Sequence, residues 1–207
     1  MGLKTFVKIS NVSNLSDARY CAGMGVNVIG FDIDPESQGK VKADQFEAIT
    51  GWISGVEFAG ELKSTLTDLD YLRQFPIDYV QIEQLEHLDV ISSFKIPVIM
   101  ALNIDELQPM EVEKIVMDNA IKVAFFLIQS SDNSQCEHLH TSIFKLAQNY
   151  PIVLGCGITK ENVNTVVANT ALKGIGLKGS EEIKPGYKDY DELAEILESI
   201  EIEDNIQ

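Results

Sequence analysis

The sequence has 207 residues, 45% hydrophobic and 23% charged, with 32 acidic against 16 basic side chains and a formal net charge of −16. That length suits a single domain over residues 1–207 with a buried core, and that charge excludes nucleic acid as a partner, because phosphate contacts need clustered Lys and Arg. No apolar run approaches the roughly 20 residues that span a bilayer, and residues 1–8 lack a signal-peptide core, so no membrane partner is expected and the expected compartment is the cytoplasm.

Short β-branched blocks alternate with stretches of helical period along the whole chain. Strands are predicted over Phe6–Ser10, Val26–Ile33, Val56–Ala59, Tyr79–Glu83, Val98–Leu102, Val123–Gln129, Ile152–Gly155 and Gly174–Lys178. The intervening helices are predicted over Ser16–Gly23, Ala43–Trp52, Asp68–Phe75, Glu86–Phe94, Glu111–Asn119, Glu137–Asn149, Lys160–Asn169 and Tyr190–Ile200. Ser16 is placed to cap the first helix, and Thr67-Asp68 and Thr159-Lys160-Glu161 open later ones. Eight such units imply either a doubly wound sheet or a closed (β/α)₈ TIM barrel. The count of eight, the lack of a linker and the lack of a Gly-x-Gly-x-x-Gly after the first strand favour the barrel.

Cys21, Cys136 and Cys156 are odd in number, far apart and without a Cys-x-x-Cys spacing. They are expected to be reduced thiols, belonging to neither a disulfide framework nor a zinc site.

Barrel active sites lie where strands end and βα loops begin, so few residues are candidates. After strands seven and eight come "GCGITKENV" and "GLKGSEEIKPGYKD". Amides at Gly155, Gly157, Lys178, Gly179 and Ser180 are placed either to converge on an anion or merely to make tight turns. Lys178 adds a cation there. Asp32 or Asp34, Glu57 or Glu61, and Glu83 end strands two to four. They read as an acid/base pair, as an oxygen-ligand metal site, or as surface groups paired with Lys40 and Lys63. Cys156 is either a reactive thiol at a helix start or a small residue tolerated in a turn.

The pieces "VKI" and "SDA" (Val7–Ile9, Ser16–Ala18), "GVNVIGF" (Gly25–Phe31), "VQIE" (Val80–Glu83), "IPVIMA" (Ile96–Ala101), "PIVLGCGITKENV" (Pro151–Val163) and "KPGYKD" (Lys184–Asp189) follow one another in a telling order. Together they resemble the phosphoribosylanthranilate isomerases, barrels of tryptophan biosynthesis, over nearly the whole chain. The resemblance implies a cofactor-free Amadori rearrangement, the aldose-to-ketose shift of phosphoribosylanthranilate. It also implies that Gly157 and the Lys178–Ser180 loop bind the ribose phosphate of a small phosphorylated metabolite.

The family's proton-transfer groups are a cysteine base in a Lys-Ile-Cys-Gly motif and an aspartate acid ending strand six. Here the first motif reads Lys8-Ile9-Ser10-Asn11, and the aspartate falls on Ile128 or Gln129, with a one-residue ambiguity of register. A serine hydroxyl needs an adjacent base to act, and neither Ile nor Gln is an acid. The family's arginine after strand two falls near Gly39, with Lys40 as the only stand-in. Its strand-eight aspartate falls on Gly176, and the histidine after Val-Gln-Leu is Glu83. By position, then, Ser10, Gln129 (or Ile128) and Glu83 are the catalytic candidates, and Asp34, Lys40 and Asn103 the substrate-binding ones. No metal is assigned, and oligomeric state has no signature here. Three readings stay open: an isomerase with rearranged catalytic groups, an enzyme on another sugar phosphate using the carboxylates of strands two to four, and a non-catalytic binder or interaction partner. Little or none of the family's activity is expected.

Overall fold

The computed structural model describes residues 2–64, 68–131, 133–179, 182–184, 187–188 and 191–202. Eight strands close a barrel in chain order: β1 (Phe6–Ser10), β2 (Val28–Asp32), β3 (Glu57–Leu62), β4 (Tyr79–Ile82), β5 (Val98–Asn103), β6 (Phe125–Gln129), β7 (Ile152–Leu154) and β8 (Gly174–Lys178). All neighbours are parallel, and β8 returns to β1 in register from Phe6↔Gly174 to Ser10↔Lys178. This is a (β/α)₈ TIM barrel.

The crossovers carry α1 (Leu15–Gly23), α2 (Ala43–Thr50), α3 (Leu88–Ser92), α4 (Pro109–Asn119), α5 (Asn133–Ala147), α6 (Val163–Val167) and α7 (Asp191–Ser199). Between β3 and β4 the expected α-helix is a tighter 3₁₀ turn, Leu69–Gln74, and another, Leu85–His87, leads into α3. Asn14, not Ser16, caps α1: its side chain accepts the Asp17 N–H at 2.9 Å. Asp68 caps its 3₁₀ turn as expected. The loop after β8 holds a small antiparallel hairpin, β9 (Glu182–Lys184) with β10 (Tyr187–Lys188), that the sequence pattern does not reveal. Among the described residues no helix is long and apolar enough to cross a membrane.

Alternation along each strand divides the core. Val7, Ile9, Ile29, Phe31, Val80, Met100, Phe126, Ile128 and Leu154 pack outward against the helices. Val28, Ala59, Ile99, Ala101, Phe125, Leu127 and Val153 fill the interior, with Phe6 and Tyr79 set edge-on to Phe125 at ring separations of 5.5 and 5.9 Å. The aromatic plug closes the end where strands begin. Above it lies a polar layer, and above that the mouth.

Candidate functional site

The polar layer starts with Lys8, a charge in the middle of an otherwise apolar strand. Its side chain is wholly buried, and its ammonium donates to Glu61 Oε1 at 2.5 Å and to Ser10 Oγ at 2.6 Å. A buried charge demands such a partner, because desolvation without one costs several kcal/mol, on the order of 3–5 when a pair is broken. Glu61 Oε2 accepts the backbone N–H of Asn11 at 3.0 Å. Asn11 stands in the left-handed region, φ 60°, a conformation that Asn tolerates better than most residues. Gly30 makes room for the ion pair. A Cβ there would lie 2.0 Å from Glu61 Oε1 and 2.9 Å from Lys8 Nζ.

In the same layer the buried side-chain oxygen of Gln81 accepts no hydrogen bond among the described residues. On the opposite side, Leu127 occupies the interior. Its Cδ1 would lie 2.6 Å from a Cβ at Gly176 and 2.8 Å from one at Gly155. No aspartate fits at Gly176 while Leu127 stays in place.

At the mouth, Ile128 packs outward and Gln129 is the residue that faces in. Its Nε2 lies 3.5 Å from Glu83 Oε1, and its register partner on β5 is Asn103. Asn103 Oδ1 accepts the Asp105 N–H at 3.1 Å. Glu83 is reached by solvent but crowded by the concave mouth. Partial desolvation there lifts its pKa above the ordinary glutamate value; Lys63 and Gln129 pull the other way, and Glu61 and Glu106 add to the rise.

Loop two is tied to itself and to the loop after β3. Asp34 is buried, and its carboxylate accepts from Ser64 Oγ and from the N–H groups of Glu36, Lys63 and Ser64. Burial alone would raise its pKa, but these hydrogen bonds more than reverse it and hold it below the usual aspartate value. Asp32 accepts from the Asp34 N–H and from Ser37 Oγ, with Lys63 Nζ at 3.8 Å. Lys40 donates to the Pro35 carbonyl. The structure thus spends Asp34 and Lys40, both expected to bind substrate, on loop geometry. Glu57 lies at the far end of β3, where it accepts from the Tyr79 hydroxyl at 3.2 Å, and takes no part in the mouth.

The glycine-rich end also departs from expectation. The Gly155 N–H donates to Ile128 O and the Gly179 N–H to Ser10 O, both at 2.7 Å, so barrel closure takes two of the amides proposed to hold an anion. Gly157 is in the left-handed region at φ 65°, and its carbonyl accepts from Asn162 Nδ2 at 2.7 Å. Helix α6 begins only at Val163 rather than Lys160. Lys178 is exposed and is the register partner of Ser10. Ser180 lies outside the described residues.

The thiol expectation is corrected. Cys136 and Cys156 form a disulfide, with Cα atoms 5.9 Å apart, tying the loop after β7 to α5. The twenty-residue separation hides a contact that only the packing of α5 beside β7 creates. Among the described residues no group of three or more His, Cys, Asp or Glu is placed to hold a metal.

Lys8 and Glu61 are the residues that position-by-position reading missed as a pair. The signal was present in each strand: a lysine inside "FVKIS" and a glutamate inside "FAGEL", both too apolar to leave a charge unmatched.

Residues 7–199 match the family model described as PRAI: N-(5'phosphoribosyl)anthranilate (PRA) isomerase. The chain is 24% identical over 204 residues to the N-(5'-phosphoribosyl)anthranilate isomerase of Petrotoga mobilis, covering 94% of this chain and 96% of that one. In fold it is similar to a solved phosphoribosyl anthranilate isomerase in complex with reduced 1-(o-carboxyphenylamino)-1-deoxyribulose 5-phosphate, with a TM-score of 0.71, 21% identity, and coverage of 95% and 98%. The enzyme of Thermus thermophilus gives a TM-score of 0.72 at 20% identity, covering 94% of this chain and 98% of that one.

Proposed function

Because this chain belongs to the phosphoribosylanthranilate isomerase family, we propose that it binds a small phosphorylated metabolite at the barrel mouth without catalysing the family's rearrangement at an enzymatic rate. The observation that carries this reading is the state of Ser10. Its oxygen accepts a hydrogen bond from an ammonium already ion-paired to Glu61, so among the described residues no base stands beside it to take its proton. Across the mouth Gln129 offers an amide where an acid is needed. Among the described residues, Asp32 and Asp34 are committed to the loops after β2 and β3, and Glu61 to Lys8. Glu83 has a raised pKa at the mouth, and a single carboxyl group does not supply both proton transfers.

For binding, the support is the family's ligand class, a 5-phosphate compound in one solved relative, together with Lys178 at the end of β8. The test is a direct turnover assay with phosphoribosylanthranilate, beside calorimetric titration with ribose 5-phosphate. Each missing proton-transfer group is worth about 10²–10⁴ in rate, so turnover is expected at least about 10⁴-fold below an ordinary family member. Loss of substrate fluorescence at an ordinary rate would refute the reading. So would failure of the chain to bind any sugar phosphate.

A further inference from the structure

We propose that the Glu61–Lys8–Ser10 chain turns position 10 into a hydrogen-bond donor for an oxyanion, a phosphate or carboxylate, seated between Ser10 and Lys178. This rests on the reading of the mouth as a metabolite site, and it names what the site recognises. A cysteine thiolate in this place accepts a proton. The serine here does the reverse. Its oxygen takes a hydrogen bond from the Lys8 ammonium at 2.6 Å, so its own proton points away from Lys8, and the cation polarises the O–H into a stronger donor.

The arrangement is fixed from several sides. Lys8 is wholly buried, with Glu61 Oε1 at 2.5 Å. Glu61 is held in turn by the Asn11 N–H, and the missing side chain of Gly30 leaves the space that both charged groups fill. Ser10 Oγ therefore stays an acceptor toward Lys8, and its remaining polarity faces the mouth. Lys178 is the register partner of Ser10 on β8, two residues beyond the inward-facing Gly176, so the two side chains stand beside each other on one face of the sheet. Its ammonium is exposed, with no carboxylate at ion-pair distance among the described residues.

The mouth is thus divided. Its acidic arc runs through Asp32 and Glu83 at the ends of β2 and β4, while the arc from β8 to β1 carries Lys178 and Ser10; Lys8 and Glu61 offset each other beneath them. Lys63 on the first arc stands beside Asp32, whereas Lys178 on the second has no such partner among the described residues, so the second arc is the one that favours an anion despite a net charge of −16. Glu83, Asn103 and Gln129 face it from β4 to β6 with carboxylate and amide groups suited to hydroxyls. The ligand class is a small polyol with an oxyanion at one end. An aryl carboxylate has no cationic clamp in loop two, since Lys40 is held by the Pro35 carbonyl.

The test is titration calorimetry on the full chain with ribose 5-phosphate, ribonate and ribose as probes, on wild type and on Ser10→Ala, Ser10→Thr and Lys178→Gln. Wild type is expected to bind one or both anionic probes at least about tenfold more tightly than ribose, and the tighter of the two identifies the oxyanion. Loss of a hydrogen bond to a charged group corresponds to about a tenfold or larger drop in affinity, which is the effect expected of Ser10→Ala on the anionic probes and not on ribose. Ser10→Thr keeps the hydroxyl and is expected to keep the affinity. Lys178→Gln, on the exposed side of the site, is expected to weaken the same probes.

Anionic probes bound equally well by wild type and Ser10→Ala, with unchanged circular dichroism, would overturn the proposal and leave the metabolite-binding reading intact. Equal losses for ribose and the anions would also overturn it, as would a Lys178→Gln variant that binds like wild type. Failure of all three probes to bind wild type would remove the metabolite reading and this proposal together.

Discussion

Replacing Lys8 with Met keeps most of the length of the side chain and removes its charge, which isolates the buried ion pair. Lys8 and Glu61 have side-chain exposures of 0% and 5%, with nitrogen and oxygen 2.5 Å apart. In the variant the Glu61 carboxylate keeps, of its contacts among the described residues, only the Asn11 N–H at 3.0 Å. Removing one partner of a buried pair costs about 3–5 kcal/mol, chiefly through the uncompensated charge left behind. In a chain of this size each kcal/mol moves the melting temperature by about 2–4 °C, so a fall of roughly 6–20 °C is expected. The double replacement Lys8→Met with Glu61→Leu leaves no orphaned charge and is expected to recover most of the loss. Urea unfolding followed by far-ultraviolet circular dichroism is the assay, because the only tryptophan, Trp52, is 71% exposed and reports poorly on the core. A single variant losing less than about 1 kcal/mol would refute the reasoning. A double variant less stable than the single one would do the same.

Gly30→Ala would force a methyl carbon to within 2.0 Å of Glu61 Oε1, and a loss of about 1–3 kcal/mol is expected in the same unfolding experiment; wild-type stability would show that the pair has slack. Reduction of the Cys136–Cys156 bridge reopens a loop closed over a separation of 20 residues. The chain-entropy cost is about 3 kcal/mol, so the melting temperature is expected to fall by about 6–12 °C in dithiothreitol, and an unchanged transition would contradict this. Partial desolvation raises the pKa of Glu83, so the native state holds that proton more tightly than the unfolded chain does. Stability is therefore lost as pH rises from the ordinary glutamate value through the raised one, and the deficit persists above it. Glu83→Gln is expected to be more stable than wild type at neutral pH and to flatten that part of the profile; thermal shifts from pH 4 to pH 8 that superimpose on wild type would rule this out.

The sequence by itself determined the eight strands, the barrel, and which loops meet at its mouth. These are local or counting properties: a strand such as Phe6–Ser10 shows its β-branched Val7 and Ile9 within five residues, and its observed limits match those expected. That a serine follows Lys8-Ile9 at the end of the first strand, and a glutamine ends the sixth, is legible for the same reason, whatever surrounds them. Tertiary structure decided the rest. Both faces of a parallel barrel strand are buried, so "FFLIQ" does not say whether Ile128 or Gln129 points inward; the helices packed against Phe126 and Ile128 do. Lys8 meets Glu61 across 53 residues, and Cys136 meets Cys156 across 20, only because the barrel closes and brings β1 near β3 and α5 beside β7. The amides of Gly155 and Gly179 look open to an anion in the sequence, yet closure gives them to Ile128 and Ser10. Asp34 looks like a reactive carboxylate until loop three folds over it and supplies three of its four donors. In each case the residue types are written locally, but the partner that fixes a charge, a proton or a hydrogen bond comes from a distant strand whose phase and register only the closed barrel sets.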